Sequence, residues 1–126
     1  MIHLDTSLLI AMVNAADAHH AMARRLTAAS APFAASAVAW MEFQSRPVPP
    51  VVTQALKGLL VGGIAGFDEP TATLAGELFY FTGSKRRTRM DAMIAASAIL
   101  AGAELATANP IDFEGFIAHG LKIRSV

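Results

Sequence analysis

Short apolar segments alternate with longer amphipathic segments along this chain of 126 residues. The apolar segments predict five short buried strands, over residues 1–4, 33–38, 64–67, 105–107 and 121–123. Between them, apolar positions three and four residues apart predict helices over 7–13, 19–29, the stretch through Glu42 to Arg46, 51–60, 71–81, the segment from Asp91 onward and 116–119. Strands that alternate with helices predict an α/β fold, in which a central parallel sheet is covered by helices on both faces to give three layers, α/β/α.

Capping and helix-breaking residues set the predicted boundaries. Asp17 and Asp68 precede helical segments and are suitable N-caps. The stretch SRPVPP, with three prolines in four positions, has to end one helix before the next begins. The stretch NPIDF at 109–113 predicts a turn.

Length and composition predict a single domain over residues 1–126 with a substantial core. Hydrophobic residues make up 54% and charged residues 16% of the chain, so we expect some apolar surface to be covered by a partner or by a second copy, most simply in a homodimer. No apolar segment is as long as a membrane span and no secretion signal is recognisable, which predicts a cytoplasmic protein with no membrane contact.

Charge is balanced overall and concentrated in one place. Lys plus Arg and Asp plus Glu both number 10, so no global field attracts a nucleic acid. The stretch SKRRTR nevertheless places Lys85, Arg86, Arg87 and Arg89 within five positions. This cluster is either a solvated loop or a local guide for phosphates, with Arg89 the nearest in sequence to Asp91.

Four acidic residues are predicted to meet at one edge of the sheet. Asp5 directly follows the first strand, Glu42 comes shortly after the second, Asp112 follows the strand that ends at Thr107, and Asp91 opens the long helix. Taken singly, Asp5, Asp91 and Asp112 are explained by helix capping, and Thr88 with Asp91 matches a capping box. Together they lie where ligands bind in open parallel sheets.

Carboxylates gathered in this way need a cation. Two of them at about 5 Å repel by roughly 3 kcal/mol at an effective dielectric near 20. The chain has no cysteine and no well-spaced histidine pair, so oxygen donors remain, and these favour Mg²⁺ or Mn²⁺ over zinc. Divalent ions held by carboxylates support hydrolysis of phosphodiester bonds.

The stretches LDTS, AWMEF, RMDAMIAASAI and TANPIDF together resemble the PIN domain family, in particular its VapC-type toxins. The resemblance covers almost the whole chain in the family's order and spacing. It implies a Mg²⁺- or Mn²⁺-dependent endoribonuclease that acts on RNA, and an antitoxin protein as partner. It also implies the residue roles: metal ligands and catalytic residues Asp5, Glu42, Asp91 and Asp112; supporting polar residues Thr6, Ser7, Thr107 and Asn109. The basic stretch by itself makes Arg86, Arg87 and Arg89 the RNA-binding candidates, and Arg89 is the best of them because it is the nearest in sequence to Asp91.

Two other functions are compatible with parts of the pattern. A phosphatase that forms an aspartyl-phosphate also places an Asp at a strand end, but Ser7 stands where its second Asp is expected. A catalytically weak PIN-like binding module would keep the fold and the acids and act through a protein partner. Mg²⁺-dependent cleavage of RNA separates these possibilities.

Overall fold

The computed structural model describes all of residues 1–126. Its helices and strands alternate as the apolar pattern predicts. The strands are β1 (Ile2–Leu4), β2 (Phe33–Ser36), β3 (Ile64–Ala65), β4 (Glu104–Ala106) and β5 (Lys122–Arg124); the helices are α1 (Thr6–Val13), α2 (His20–Leu26), α3 (Ala37–Gln44), α4 (Pro50–Leu59), α5 (Glu69–Phe81) and α6 (Arg89–Leu100), with 3₁₀ helices over Arg86–Thr88 and Pro110–His119.

The five strands form one parallel sheet in the order β3-β2-β1-β4-β5. The chain therefore builds outward from β1 on one side, through β2 and β3, and then returns to β4 and β5 on the other. Ile2 pairs with Phe33 of β2 and with Glu104 of β4. The order reverses beside β1, and in parallel sheets the carboxyl ends of the strands at such a reversal form a crevice.

Both faces of the sheet are covered, which confirms the predicted three-layer α/β/α fold. Every residue of β1 and β2 is buried, as expected for central parallel strands between helices. Helix α6 contributes several buried alanines to the single core of 27 residues, and their small size lets this helix lie close to the sheet and to α5. None of the helices has the length and apolar character that crossing a bilayer requires.

The proline-rich stretch interrupts the helices as predicted. Helix α3 ends at Gln44, and α4 starts at Pro50, at the helix position where a missing N–H costs nothing. Asp68 caps α5 as expected, with its carboxylate accepting from the backbone N–H of Thr71 at 3.1 Å.

Several predicted boundaries were wrong, each for a local reason. The second strand stops at Ser36 because the Ser36 hydroxyl accepts from the Ala39 backbone N–H at 3.0 Å and starts α3 there. Asp17 does not cap α2; its carboxylate accepts from the His19 backbone N–H at 2.8 Å, in a turn before that helix. The third strand is two residues long, and α2 ends at Leu26, earlier than its apolar pattern indicated.

The segment after β4 is one continuous 3₁₀ helix, Pro110–His119, where a turn and a separate short helix were predicted. Phe113 and Phe116, three residues apart, are both buried, and this spacing matches the three residues per turn of a 3₁₀ helix. Gly120 ends it with φ of +109°, a conformation that favours glycine. Asp112 is thereby fixed in the first turn of a helix that packs against α6.

Candidate metal and RNA site

Asp5 lies at the end of β1 and caps α1. Its Oδ1 accepts from the Leu8 backbone N–H at 3.0 Å and from the Ser7 hydroxyl at 2.6 Å, and its Oδ2 accepts from the Thr107 hydroxyl. Burial raises the pKa of the Asp5 carboxyl, and these hydrogen bonds only partly oppose that rise. A carboxylate offers about four acceptor sites, so the capping role leaves capacity for another partner.

Glu42 is joined to the end of β1 by a hydrogen bond. The Thr6 hydroxyl donates to Glu42 Oε1 at 2.6 Å and so links the chain after β1 to helix α3. Glu42 is half-buried, and the two ion pairs of the structure, His19 with Asp17 and Arg124 with Glu104, lie elsewhere. A carboxylate in this position has no Lys or Arg partner to neutralise it.

Asp91 occupies the first turn of α6, and no capping box forms there. The Thr88 hydroxyl donates to the Lys85 carbonyl at 2.8 Å and makes no capping bond. The pKa of Asp91 rises to about 7, first because the side chain is half-buried and then because of the negative charges of Asp112, Glu42 and Asp5. Asp91 therefore lies close enough to the other three predicted acids to be affected by their charges.

Hydroxyl groups tie these acids to the loop after β4. The Ser7 hydroxyl accepts from the Ala108 backbone N–H at 3.1 Å while donating to Asp5, and the Thr107 hydroxyl accepts from the Asn109 backbone N–H at 2.9 Å. Both therefore use donor and acceptor functions at once. Asn109 is exposed and enters this network through its backbone, since its side chain does not cap the helix that follows.

The four carboxylates fit a hard divalent cation in donor type, in charge and in location. None of the four forms an ion pair with a cationic side chain, and a divalent ion would offset the repulsion that the others exert on Asp91. The four carboxylates are farther apart than the ligands of a bound metal ion. In this structure no three Asp, Glu or His side chains are arranged closely enough to hold a metal ion.

A cleft of about 550 Å³ opens beside the outer two acids. Asp91 and Asp112 line one part of it, and Lys85 and Arg87 line another. Asp112, Lys85 and Arg87 are exposed. The cleft therefore combines cations that suit phosphate groups with carboxylates that suit a metal ion. The remaining lining residues are Thr82, Thr88, Ile111, Gly115 and Phe116.

The cationic side chains of the stretch SKRRTR do not all line the same surface. The Arg89 guanidinium lies 5.1 Å from the ring centre of Phe79 and lines a different groove, of about 290 Å³, beside α5 and α6. Arg86 does not line the cleft either. Arg89, the arginine nearest in sequence to Asp91, therefore lies outside the cleft, whereas Lys85 lines it together with Arg87.

The sequence model of the PIN domain family matches residues 2–114. A match of that extent means that the chain belongs to the PIN domain family. A search of curated proteins found no relative of the chain.

Three of the solved structures with the same fold illustrate the likeness. FitAcB from Neisseria gonorrhoeae is 22% identical with a TM-score of 0.72, covering 99% of this chain and 97% of that one. The sarcin–ricin-loop-cleaving toxin VapC20 of Mycobacterium tuberculosis is 21% identical with a TM-score of 0.71, covering 99% of this chain and all (100%) of that one. A toxin–antitoxin complex from Klebsiella pneumoniae is 27% identical with a TM-score of 0.69, covering 91% of this chain and 92% of that one.

Proposed function

We propose that the chain is a Mg²⁺- or Mn²⁺-dependent endoribonuclease and the toxin of a toxin–antitoxin pair. The observation that carries this proposal is that Asp5, Glu42, Asp91 and Asp112 lie near one another and form no ion pair with a cationic side chain. The pKa of Asp91 rises to about 7, first because of burial and then because of the negative charges of the other three acids. Membership of the PIN domain family and the likeness to an RNA-cleaving toxin support the same function. Cleavage of RNA would take place in the cytoplasm.

The four acids would hold the metal, and their neighbours would set their orientation. When bound, the divalent ion supplies a water ligand of lowered pKa and positive charge for the phosphate oxygens. Thr6 holds Glu42, and Ser7 and Thr107 hold the two oxygens of Asp5. Lys85 and Arg87 bind the RNA phosphates next to the acids.

A protein partner and a second copy complete the proposal. Several similar structures are toxin–antitoxin complexes, which supports an antitoxin as the partner. An apolar groove of about 250 Å³ is lined by residues of α1, α2 and α4, the helix that follows the stretch SRPVPP of this chain. This groove offers room for a segment of the antitoxin. Some apolar side chains are largely exposed, among them Val51, which is 75% exposed, and Val61, which is 80% exposed. Their exposure supports a homodimer in which a second copy covers part of the exposed apolar surface.

One observation favours the alternative, a PIN-like binding module with weak catalysis. The acids do not form a closed ligand set, so metal binding has to draw them together at some cost. The two functions differ in whether RNA is consumed.

The test is cleavage of end-labelled RNA by the purified chain, with Mg²⁺, with Mn²⁺ and with EDTA. We expect cleavage with either metal, its loss in EDTA and its recovery when Mg²⁺ is restored. Binding of RNA or of an antitoxin without any cleavage would favour the binding module. Equal cleavage in EDTA would contradict a metal-dependent mechanism.

A further inference from the structure

Three exposed aromatic rings form a cluster at the end of α5. Phe81 stacks on His119 with ring centres 5.9 Å apart and planes 22° from parallel, and Tyr80 meets Phe81 edge to face at 5.2 Å. Tyr80 is 71% and Phe81 64% exposed. The fold does not need these rings in its core, so their exposure calls for another explanation.

This aromatic cluster, Tyr80, Phe81 and His119, adjoins the cleft. Phe81 precedes Thr82, and His119 lies on the 3₁₀ helix that carries Gly115; Thr82 and Gly115 both line the cleft. These two walls approach closely, since a Cβ atom at Gly115 would lie 3.5 Å from the Thr82 methyl group. The cluster therefore lies at the border of the cleft, next to this contact.

A hydrogen bond anchors the end of α5, which carries Tyr80 and Phe81. The Thr82 hydroxyl donates to the Leu78 carbonyl at 2.7 Å, and Leu78 itself is buried in the core. A flat surface on a rigid support loses little conformational entropy when a ligand binds.

We propose that the aromatic cluster stacks an unpaired base of the RNA whose phosphates Lys85 and Arg87 bind. Single-stranded nucleic acid is bound by aromatic rings placed beside cationic side chains that contact its phosphates. Here the rings lie beside a cleft that Lys85 and Arg87 line. A base paired within a duplex has no free face for such stacking, so the base has to be unpaired where it meets the cluster. This inference rests on the proposed function and adds a base-stacking subsite to it.

A second copy or a protein partner would also cover exposed aromatic rings. The position of the cluster favours RNA, because the cluster borders a cleft that Lys85 and Arg87 line. The near-parallel arrangement of Phe81 and His119 also leaves flat ring faces rather than a socket for an aliphatic side chain.

The test uses Phe81→Leu, which keeps an apolar side chain and removes the flat ring. The probes are a single-stranded RNA of about 12 nucleotides and the same RNA with abasic positions, bound in EDTA so that no cleavage takes place. We expect Phe81→Leu to weaken binding of the intact RNA about 10-fold and to leave binding of the abasic RNA unchanged. Phe67→Leu, the same substitution at a ring outside the cleft, should bind both RNAs as the parent does.

The outcomes separate this inference from the proposed function. If the parent cleaves RNA with Mg²⁺ and Phe81→Leu binds intact RNA as tightly as the parent, the stacking role is overturned and the nuclease stands. If Phe81→Leu changes the oligomeric state in light scattering while RNA binding is unchanged, the cluster is an interface between copies and the inference is overturned. A parent that neither binds nor cleaves RNA overturns both. The melting temperature of Phe81→Leu shows whether the variant is folded.

Discussion

Replacing Asp91 with Asn should stabilise the metal-free protein at neutral and alkaline pH. The folded protein raises the pKa of Asp91 from 3.8 to about 7, because of burial and then of the charges of Asp112, Glu42 and Asp5. The unfolded chain therefore gives up this proton at lower pH than the folded chain does. The cost to folding is absent below about pH 4, grows as the pH rises towards 7 and is complete above 7.

The size of this effect follows from the pKa difference. At about 1.4 kcal/mol per pH unit, a rise from 3.8 to about 7 corresponds to roughly 4 kcal/mol. Asp91 is only half-buried, so solvent screening reduces this to about 2 kcal/mol. Asp91→Asn should recover about that much free energy of unfolding at pH 8 and almost none at pH 4.

Urea denaturation in EDTA at a series of pH values measures the difference. Asp112→Asn is the matched comparison, because it removes one repelling charge near Asp91 and leaves the burial of Asp91 unchanged; it should recover a smaller part of the same free energy. Adding Mg²⁺ should stabilise the parent more than Asp91→Asn. Parallel stability curves for the parent and Asp91→Asn from pH 4 to pH 8 would refute the reasoning.

Three further predictions concern other parts of the molecule. Replacing both Lys85 and Arg87 with Ala should weaken RNA binding without changing metal affinity, and should lower the slope of log binding constant against log salt concentration by about 2. Arg89→Ala should leave this slope unchanged, because Arg89 lies on Phe79 outside the cleft. A salt titration of RNA binding measures both slopes. His3 is buried without any hydrogen-bond partner, and its pKa is therefore lowered. Below about pH 6.5 the unfolded chain binds a proton at this residue that the folded chain does not bind, so the free energy of unfolding decreases as the pH is lowered. His3→Leu should remove this decrease in acid denaturation curves. Light scattering should report about twice the 13.2 kDa mass of the chain, and the monomer mass at micromolar concentration would contradict the homodimer.

The sequence predicted the inner part of the site because strand ends are easy to locate. Asp5 follows an apolar strand at once, and a parallel sheet brings such ends to one edge whatever the loops do. Asp91 follows no strand; its place on the core side was predicted from the apolar residues Ile94 and Ala98 on the same face of its helix, although its local sequence matched a capping box. The box does not form because Thr88 bonds back to Lys85 within the 3₁₀ helix.

The outer part of the site was not predictable in the same way. Which cation of the stretch SKRRTR enters the cleft depends on a single 3₁₀ turn, and the turn directs Arg89 onto Phe79 instead. The pairing of Phe81 with His119 depends on the continuous 3₁₀ helix, which sequence patterns divided into a turn and a short helix. Such contacts join residues far apart in the chain and leave no periodic signal.

The central claim is that Asp5 is a metal ligand as well as a helix cap, and Asp5→Asn tests it most directly. Asn caps helices about as well as Asp but is a poor Mg²⁺ ligand, and Asp68→Asn makes the same change at the cap of α5, away from the cleft. In a Mg²⁺-dependent RNA cleavage assay, the folded Asp5→Asn variant should lose at least about 100-fold in rate while Asp68→Asn cleaves as the parent does. An Asp5→Asn variant that cleaves RNA at the parent's rate would contradict the metal site and leave Asp5 as a helix cap alone.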